Sequence, residues 1–465
     1  MTDTAASASS AQSATWPMIV AARRSPITTK GRDLAGVAAD ELASPVIRSC
    51  VDDAHRATGS HLEIGDVLLG NCMGPGGNVA RSAALAAGLD VSVPGMTIDR
   101  QCGSGLSAII SAAESIRAGG RRMIVAGGTE SASTAPLRVQ GGVAYARAPF
   151  APTGFPDPEM GPAADALARV VGIDRAAQDA YAERSHRLAV SATRSGAFDE
   201  EIVAVDGVRA DDGPRAGIAA LLGRFVPLYR SREPGSDDTR TAGPATAGPA
   251  TAGPATAEHG QHTAVQPAPS TVTAGNSCRI SDGAAAVAFV PAQFRGTAPA
   301  LALRAHATVG CDPALPGIGP VGAVNRLLGE AGLTMADIAA FEIVEAFAAQ
   351  SLAVLLALGL AEFAPDVPES RGRSHGATNA VDSDADGATN SVTNSAVTTL
   401  RVDDRVCSDG GALALGHPWG ASGAVGVVRL FSRLVRGGAP TGTLGISTAA
   451  IGGGMGVAAL FEVVR

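Results

Sequence analysis

Two residues stand in settings where their side chains could do chemistry. Cys102 lies in TIDRQCGSGLSA (97–108), between an extended segment and a helix that opens among small residues. A thiol there meets the free N–H groups and the positive end of the helix, which predicts an exposed sulfur with a lowered pKa. The alternative is a small core cysteine, the commoner fate of a free thiol. His417 lies in GALALGHPWGASGA (411–424), and Pro418 biases it to an extended conformation just before a second helix. A cysteine and a histidine within reach of each other form a nucleophile and its base. The alternative for His417 is a satisfied surface or core histidine.

The elements that would bring the two together are read from an internal echo. CGSGLSAIISAAESIRAGGRRMIVAGG (102–128) and GASGAVGVVRLFSRLVRGGAPTGTLGIS (420–447) share a glycine-rich turn, a helical run, a glycine stop and an apolar strand. Gly105 precedes Gly119 by the same spacing as Gly423 precedes Gly437. The first helix reads as amphipathic, with Leu106, Ile109, Ile110, Ala113 and Ile116 on its apolar side. Further apolar runs, such as MIVAA (18–22), DVLLGN (66–71) and AAAVAFV (284–290), alternate with helical patterns, which predicts a layered α/β fold. Two related halves would set the Cys102 and His417 turns face to face.

Composition excludes several classes of function. The 465 residues carry a net charge of −8, Lys30 is the only lysine, and arginines cluster no further than in pairs, which argues against a nucleic-acid partner. The six cysteines, Cys50, Cys72, Cys102, Cys278, Cys311 and Cys407, are dispersed without a CxxC pair. Neither a metal site nor a disulfide framework is indicated, and a reducing, cytoplasmic setting is expected. No apolar run is long enough to span a bilayer. Residues 1–16 read as a disordered tail, and TAGPATAGPATAGPATA (241–257) marks residues 231–268 as a low-complexity insertion. A second, polar insertion covers 366–399; its DSDADG (382–387) imitates the start of a calcium loop but has Thr393 where the closing glutamate would stand.

Seven blocks, in order, carry a resemblance to a known family: DRQCGSGLSAI, MGPAADALARVVGIDRAAQDAYAERSHRLA (160–189), STVTAGNSCRISDGAAAVAF (270–289), GIGPVGAVNRLL (317–328), EAFAAQ (345–350), the block around His417, and IGGGMG (451–456). They span nearly the whole chain outside the tail and insertions, and together they resemble the thiolase family. The resemblance implies duplicated five-stranded sheet-and-helix halves in layers. The N-terminal half would be 17–130 with 270–296, the C-terminal half 297–465, and 131–269 an inserted loop domain that binds coenzyme A. It implies ping-pong acyl transfer with acyl-CoA or 3-ketoacyl-CoA thioesters as partners, coenzyme A as co-substrate, no permanent cofactor or metal, and a homodimer or homotetramer. Cys102 matches the nucleophile and His417 its base. The N–H groups of Cys102 and Gly452 match an oxyanion hole, and Met160 and Ser277 match positions lining the pantetheine channel.

Two positions depart from the family pattern. The second cysteine that commonly precedes IGGG is Ala450, and the Asn or His that commonly precedes EAF is Val344. Neither side chain can move a proton or donate a hydrogen bond. Both losses fall on the carbanion half of the reaction, while Cys102, His417 and Gly452 remain for acyl-enzyme formation. Cys407 and His306 are possible stand-ins for the missing acid, although the segment between Cys407 and His417 is a strand in the family. Three functions stay open: a thiolase-type acyltransferase, acyl transfer to a heteroatom or thioester hydrolysis on the same scaffold, and a non-catalytic acyl-CoA-binding subunit.

Overall fold

A computed structural model describes residues 16–145, 147–229, 270–365 and 398–465. The tail expected at 1–16 (all but Trp16), the insertion at 231–268 and all of 366–397, with the DSDADG segment, lie outside the described residues.

The first part of the chain forms β1 (Pro17–Arg24), β2 (Thr28–Thr29), β3 (Ile64–Gly70), β4 (Met96–Ile98), β5 (Met123–Glu130), a small hairpin of β6 (Arg138–Gln140) and β7 (Val143–Tyr145), and β8 (Ser281–Pro291). The second part forms β9 (Ala300–Gly310), β10 (Ile338–Ile343), a hairpin of β11 (Ala361–Pro365) and β12 (Thr398–Val402), β13 (Leu444–Ile451) and β14 (Met455–Val464). The main sheet runs β10-β13-β14-β9-β1-β8-β5-β3-β4, with β2 on the end of β8. It divides into two copies of one pattern. In the first, β3 pairs parallel with β5, then β5, β8 and β1 run antiparallel. In the second, β10 pairs parallel with β13, then β13, β14 and β9 run antiparallel. The first copy has five strands; in the second, the fifth place, that of β4, is reduced to a single bridge from Val406 to Phe341. A short β1–β9 pairing at Met18–Ala302 and Ile19–Leu301 joins the copies.

Between the copies lie the helices Ser104–Arg117 and Trp419–Leu430, each directly after the turn that carries Cys102 or His417. The first has an amphipathic sequence pattern, yet residues 104–110 are all buried, because sheet covers one side and the second helix the other. Glycine makes that crossing possible. A Cβ on Gly128 would lie 2.0 Å from the Gly420 carbonyl oxygen, and one on Gly105 would lie 2.7 Å from the same atom. Outside the first copy pack the helices Ala39–Thr58 and Val79–Ala86, and outside the second Gly319–Ala331 and Ala348–Ala357. The result is helix, sheet, helix pair, sheet and helix in layers.

The segment before His417 departs from expectation: Ala412–Leu415 is one short helical turn, not a strand. Left-handed Gly410 (φ +80) stands before it and Gly416 (φ +114) after it. The intervening region 147–229 contributes the helices Met160–Val171 and Arg175–Arg194. The second docks on the C-terminal copy, where Tyr181 Oη and Ser185 Oγ donate to the buried Glu345 carboxylate at 2.9 and 2.7 Å.

Candidate active site

The Cys102 turn is built by its neighbours. Gln101 is held at φ +48, and its N–H donates to Asp99 Oδ1 at 2.9 Å. Ser104 Oγ accepts from the Arg100 N–H at 2.8 Å and donates to the Gln101 carbonyl at 2.6 Å. A non-glycine residue in the left-handed region costs on the order of 1 kcal/mol or more, and these side-chain bonds offset it. Cys102 stands at the apex, half-buried, just before the helix.

His417 is buried, and its N–H donates to the Arg279 carbonyl at 2.9 Å. Its Nε2 lies 3.3 Å from Cys102 Sγ, so the two turns do meet. On the other side of the ring, Nδ1 lies 2.5 Å from Ser422 Oγ, and Ser422 also reaches the Pro418 carbonyl at 3.1 Å. A carbonyl can only accept, so the one hydroxyl proton of Ser422 goes to Pro418 and its oxygen accepts Nδ1–H. The network therefore assigns the tautomer whose Nε2 lone pair faces the thiol. Ser422 had no assigned role in the sequence; its place five residues after His417, on the first turn of the next helix, was the available signal.

Electrostatics overturn one expectation. Burial pushes the Cys102 thiol up to about 12, Glu130 and Asp99 add to this, and only the residue's own N–H pulls the other way. The helix-start effect is thus outweighed by desolvation. Burial also brings His417 down to about 4. At neutral pH the resting pair is thiol and neutral imidazole, not thiolate and imidazolium. Buried Glu130 ties the site together: its carboxylate accepts the N–H groups of Cys72, Met73 and Gly420 at 3.1, 3.0 and 2.9 Å.

Residues 452–454 form the turn joining β13 to β14, since Ile451 pairs with Met455. Gly453 and Gly454 are left-handed, with φ of +85 and +82. The turn lies beside the Cys102 turn, because a Cβ on Gly103 would meet Ile451 Cδ1 at 2.5 Å. Gly452 takes φ outside the left-handed range; there a Cβ would run into the Phe150 ring at 2.6 Å. Ala450 is half-buried on β13. Val344 is buried just after β10, and it lines a small pocket with Ser422, Arg429 and Ser447.

The proposed stand-ins do not reach the site. Cys407 is buried, its thiol donates to the Ile343 carbonyl at 3.5 Å, and burial holds its pKa far above the usual range. His306 sits on β9 against Glu114 Oε1 at 3.1 Å. Met160 is half-buried at the start of its helix. The Ser277 hydroxyl turns inward, donating to the Thr273 carbonyl at 2.7 Å. Its neighbour Cys278 is the half-buried one, and the Cys102 thiol is close enough to help burial raise it to about 12. The Cys278 N–H donates to the Ala346 carbonyl, and the next residue receives the His417 N–H, so this thiol borders the dyad. A register of isolated bridges fixes which of the two side chains turns outward, and local sequence carries no signal for it.

A duplicated α/β fold with a cysteine and a histidine meeting at the ends of paired central helices defines a thiolase-like acyl-transfer scaffold. Comparison with known proteins agrees: the family profile described as "Thiolase, N-terminal domain" matches residues 17–246, and "Thiolase, C-terminal domain" matches 297–463. The chain belongs to the thiolase family and is an acyltransferase of that class. It is 34% identical over 467 residues to an acetyl-CoA acetyltransferase of Pseudomonas aeruginosa, covering 95% of this chain and 98% of the relative. Among solved structures it resembles the acetyl-CoA acetyltransferase of Bacillus anthracis, with a TM-score of 0.72, 30% identity, and coverage of 97% and 99%. No helix among the described residues is long and apolar enough to cross a membrane.

Proposed function

We propose that the protein transfers the acyl group of an acyl-CoA or 3-ketoacyl-CoA through a thioester on Cys102, with coenzyme A as co-substrate. The approach of His417 Nε2 to Cys102 Sγ at 3.3 Å, with its lone pair aimed at the thiol, carries this reading. As sulfur attacks the thioester carbonyl, Nε2 takes the thiol proton, and the imidazolium keeps its Nδ1–H on Ser422. The carbonyl oxygen gains charge opposite the N–H groups of Cys102 and Gly452. Collapse breaks the bond to the coenzyme A sulfur, which leaves with the proton held on Nε2. Because the resting pair is neutral, the thiol proton moves to Nε2 as the carbonyl is attacked. The same reading includes a cytoplasmic homodimer or homotetramer; free cysteines throughout support the reducing compartment.

The fate of the acyl-enzyme is set by Ala450 and Val344. With no proton carrier at either place, transfer to a heteroatom nucleophile or to water is the second reading, and these two side chains favour it. Incubation with acetyl-CoA in heavy water separates the cases. Intact mass should show one acetyl group on the wild type and none on Cys102→Ser, and absence of label on the wild type with every acyl-CoA tried would refute acyl transfer. Deuterium at the acetyl α-carbon would support carbon–carbon chemistry, and acylation without it would support the second reading.

A further inference from the structure

Gly452 borders an aromatic ring that no motif singled out. A Cβ at that position would lie 2.6 and 2.7 Å from Phe150 Cε2 and Cδ2, and one at Gly453 would lie 3.0 Å from the Phe150 carbonyl oxygen. These gaps are shorter than carbon atoms tolerate, so the turn is glycine partly to admit Phe150. The ring is fixed from behind. Arg147 stacks on it, with the guanidinium carbon 4.6 Å from the ring centroid, and forks to Asp157 at 2.8 Å and Glu159 at 3.1 Å. The Phe150 N–H points to both oxygens of the Asp157 carboxylate at 3.3 Å. Glu159 immediately precedes the helix that begins at Met160. One clamp thus locks Phe150 and the start of the Met160 helix into a single loop, which lies over the turn next to Cys102. Phe150 is only half-buried, so the ring is not a core residue that merely fills space.

We propose that Phe150, held by Arg147, is the wall that limits the acyl group on Cys102 to short chains. This rests on the reading of Cys102 as the acylated nucleophile. The chemistry is steric. With the Gly452 turn facing the acyl oxygen, as the proposed function has it, a large rigid ring beside that turn leaves room for a small acyl group and closes the direction in which a longer chain would extend. Arg147 acts through Phe150 as a positioning residue, since its guanidinium is engaged by Asp157 and Glu159.

The test is the ratio of kcat/KM for hexanoyl-CoA to that for acetyl-CoA, in wild type, Phe150→Ala and Arg147→Met. One methylene in an apolar pocket is worth about tenfold or more in discrimination. The ratio should therefore rise at least about tenfold in Phe150→Ala and in the same direction, by less, in Arg147→Met. General damage to the fold would lower both substrates alike and leave the ratio where it was. A ratio unchanged within twofold in Phe150→Ala would overturn the proposal. A second measurement needs no turnover: the rate of Cys102 alkylation by N-hexyl iodoacetamide relative to iodoacetamide, read by intact mass against Cys102→Ser. That ratio should also rise in Phe150→Ala, and an unchanged value counts against the wall even if the protein transfers no acyl group. Loss of acetyl labelling in the wild type would instead refute the proposed function, so the two failures are distinguishable.

Discussion

Removing the Ser422 hydroxyl tests whether the dyad depends on a chosen tautomer. In Ser422→Ala the buried Nδ1–H of His417 loses its one acceptor among the described residues, the oxygen now 2.5 Å away. An unsatisfied buried donor costs about 1–3 kcal/mol. The ring can escape that cost by moving its proton to Nε2, which then faces Cys102 Sγ as a donor and can no longer serve as a base. The fraction of enzyme with a competent base falls by the same free energy, roughly 5- to 150-fold. Ser422 is buried behind the ring, so acyl-CoA binding should be unaffected. The assay is single-turnover acetylation of Cys102, monitored by intact mass over a range of acetyl-CoA concentrations. The limiting rate should drop by that same factor, about 5- to 150-fold, with the half-saturating concentration unchanged, and His417→Ala should lose about 10²–10⁴. Acetylation of Ser422→Ala at the wild-type rate would refute the tautomer assignment; a change confined to half-saturation would place Ser422 in binding instead.

Three other perturbations have definite outcomes. His417 and His186 both have folded values near 4 against an ordinary 6.5, through burial. The unfolded chain therefore takes up protons first, and each histidine should remove up to about 3 kcal/mol of stability as pH falls from 7 to 4, with no further loss below that. Urea unfolding at stepped pH checks this, and His186→Gln should flatten the slope. Gly128→Ala forces a Cβ to 2.0 Å from the Gly420 oxygen, where only backbone can give way. It should cost at least about 3 kcal/mol, read as a lower urea midpoint, while the same change at exposed Gly329, which has open space, should cost nothing. Ala450→Cys should raise deuterium exchange at the acetyl α-carbon by about 10² or more, and an unchanged exchange rate would show that Ala450 is not the gap in proton transfer.

Much of this was legible from the residues because the informative rules are local. A glycine-rich turn before a helix can be recognised without knowing what packs on it, and finding that turn twice implied that Cys102 and His417 face each other. The layered α/β architecture came from the same repetition. What the residues did not disclose depends on partners distant in the chain. Whether a helix start or desolvation governs the Cys102 thiol is decided by the sheet and helix that enclose it, and desolvation prevails. The Ser104–Arg117 helix looks one-sided because alanine, serine and glycine on its other side are small, and they are small because a second helix crosses there. Phe150 was invisible for a related reason: nothing in its own segment announces that a glycine turn 302 residues later leaves space for its ring.

The two departures from the family pattern and the features that persist act on different bonds. In the proposed function Cys102, His417 and Ser422 bear on making and breaking a thioester, and their contacts involve neither position 344 nor position 450. A chain losing function by drift has no reason to keep that network while losing only the carbanion half, since random substitutions at Ser422, Gly416 or Gly452 would be as disruptive. Gly416, for example, tolerates no side chain, because a Cβ would lie 2.3 Å from Ser281 Oγ. On the proposed function, the pattern is that of a scaffold still built to form an acyl-enzyme and altered in its next step. Wherever the acyl group goes, the acceptor must either bring its own activated atom or find a proton carrier within the site other than residues 344 and 450.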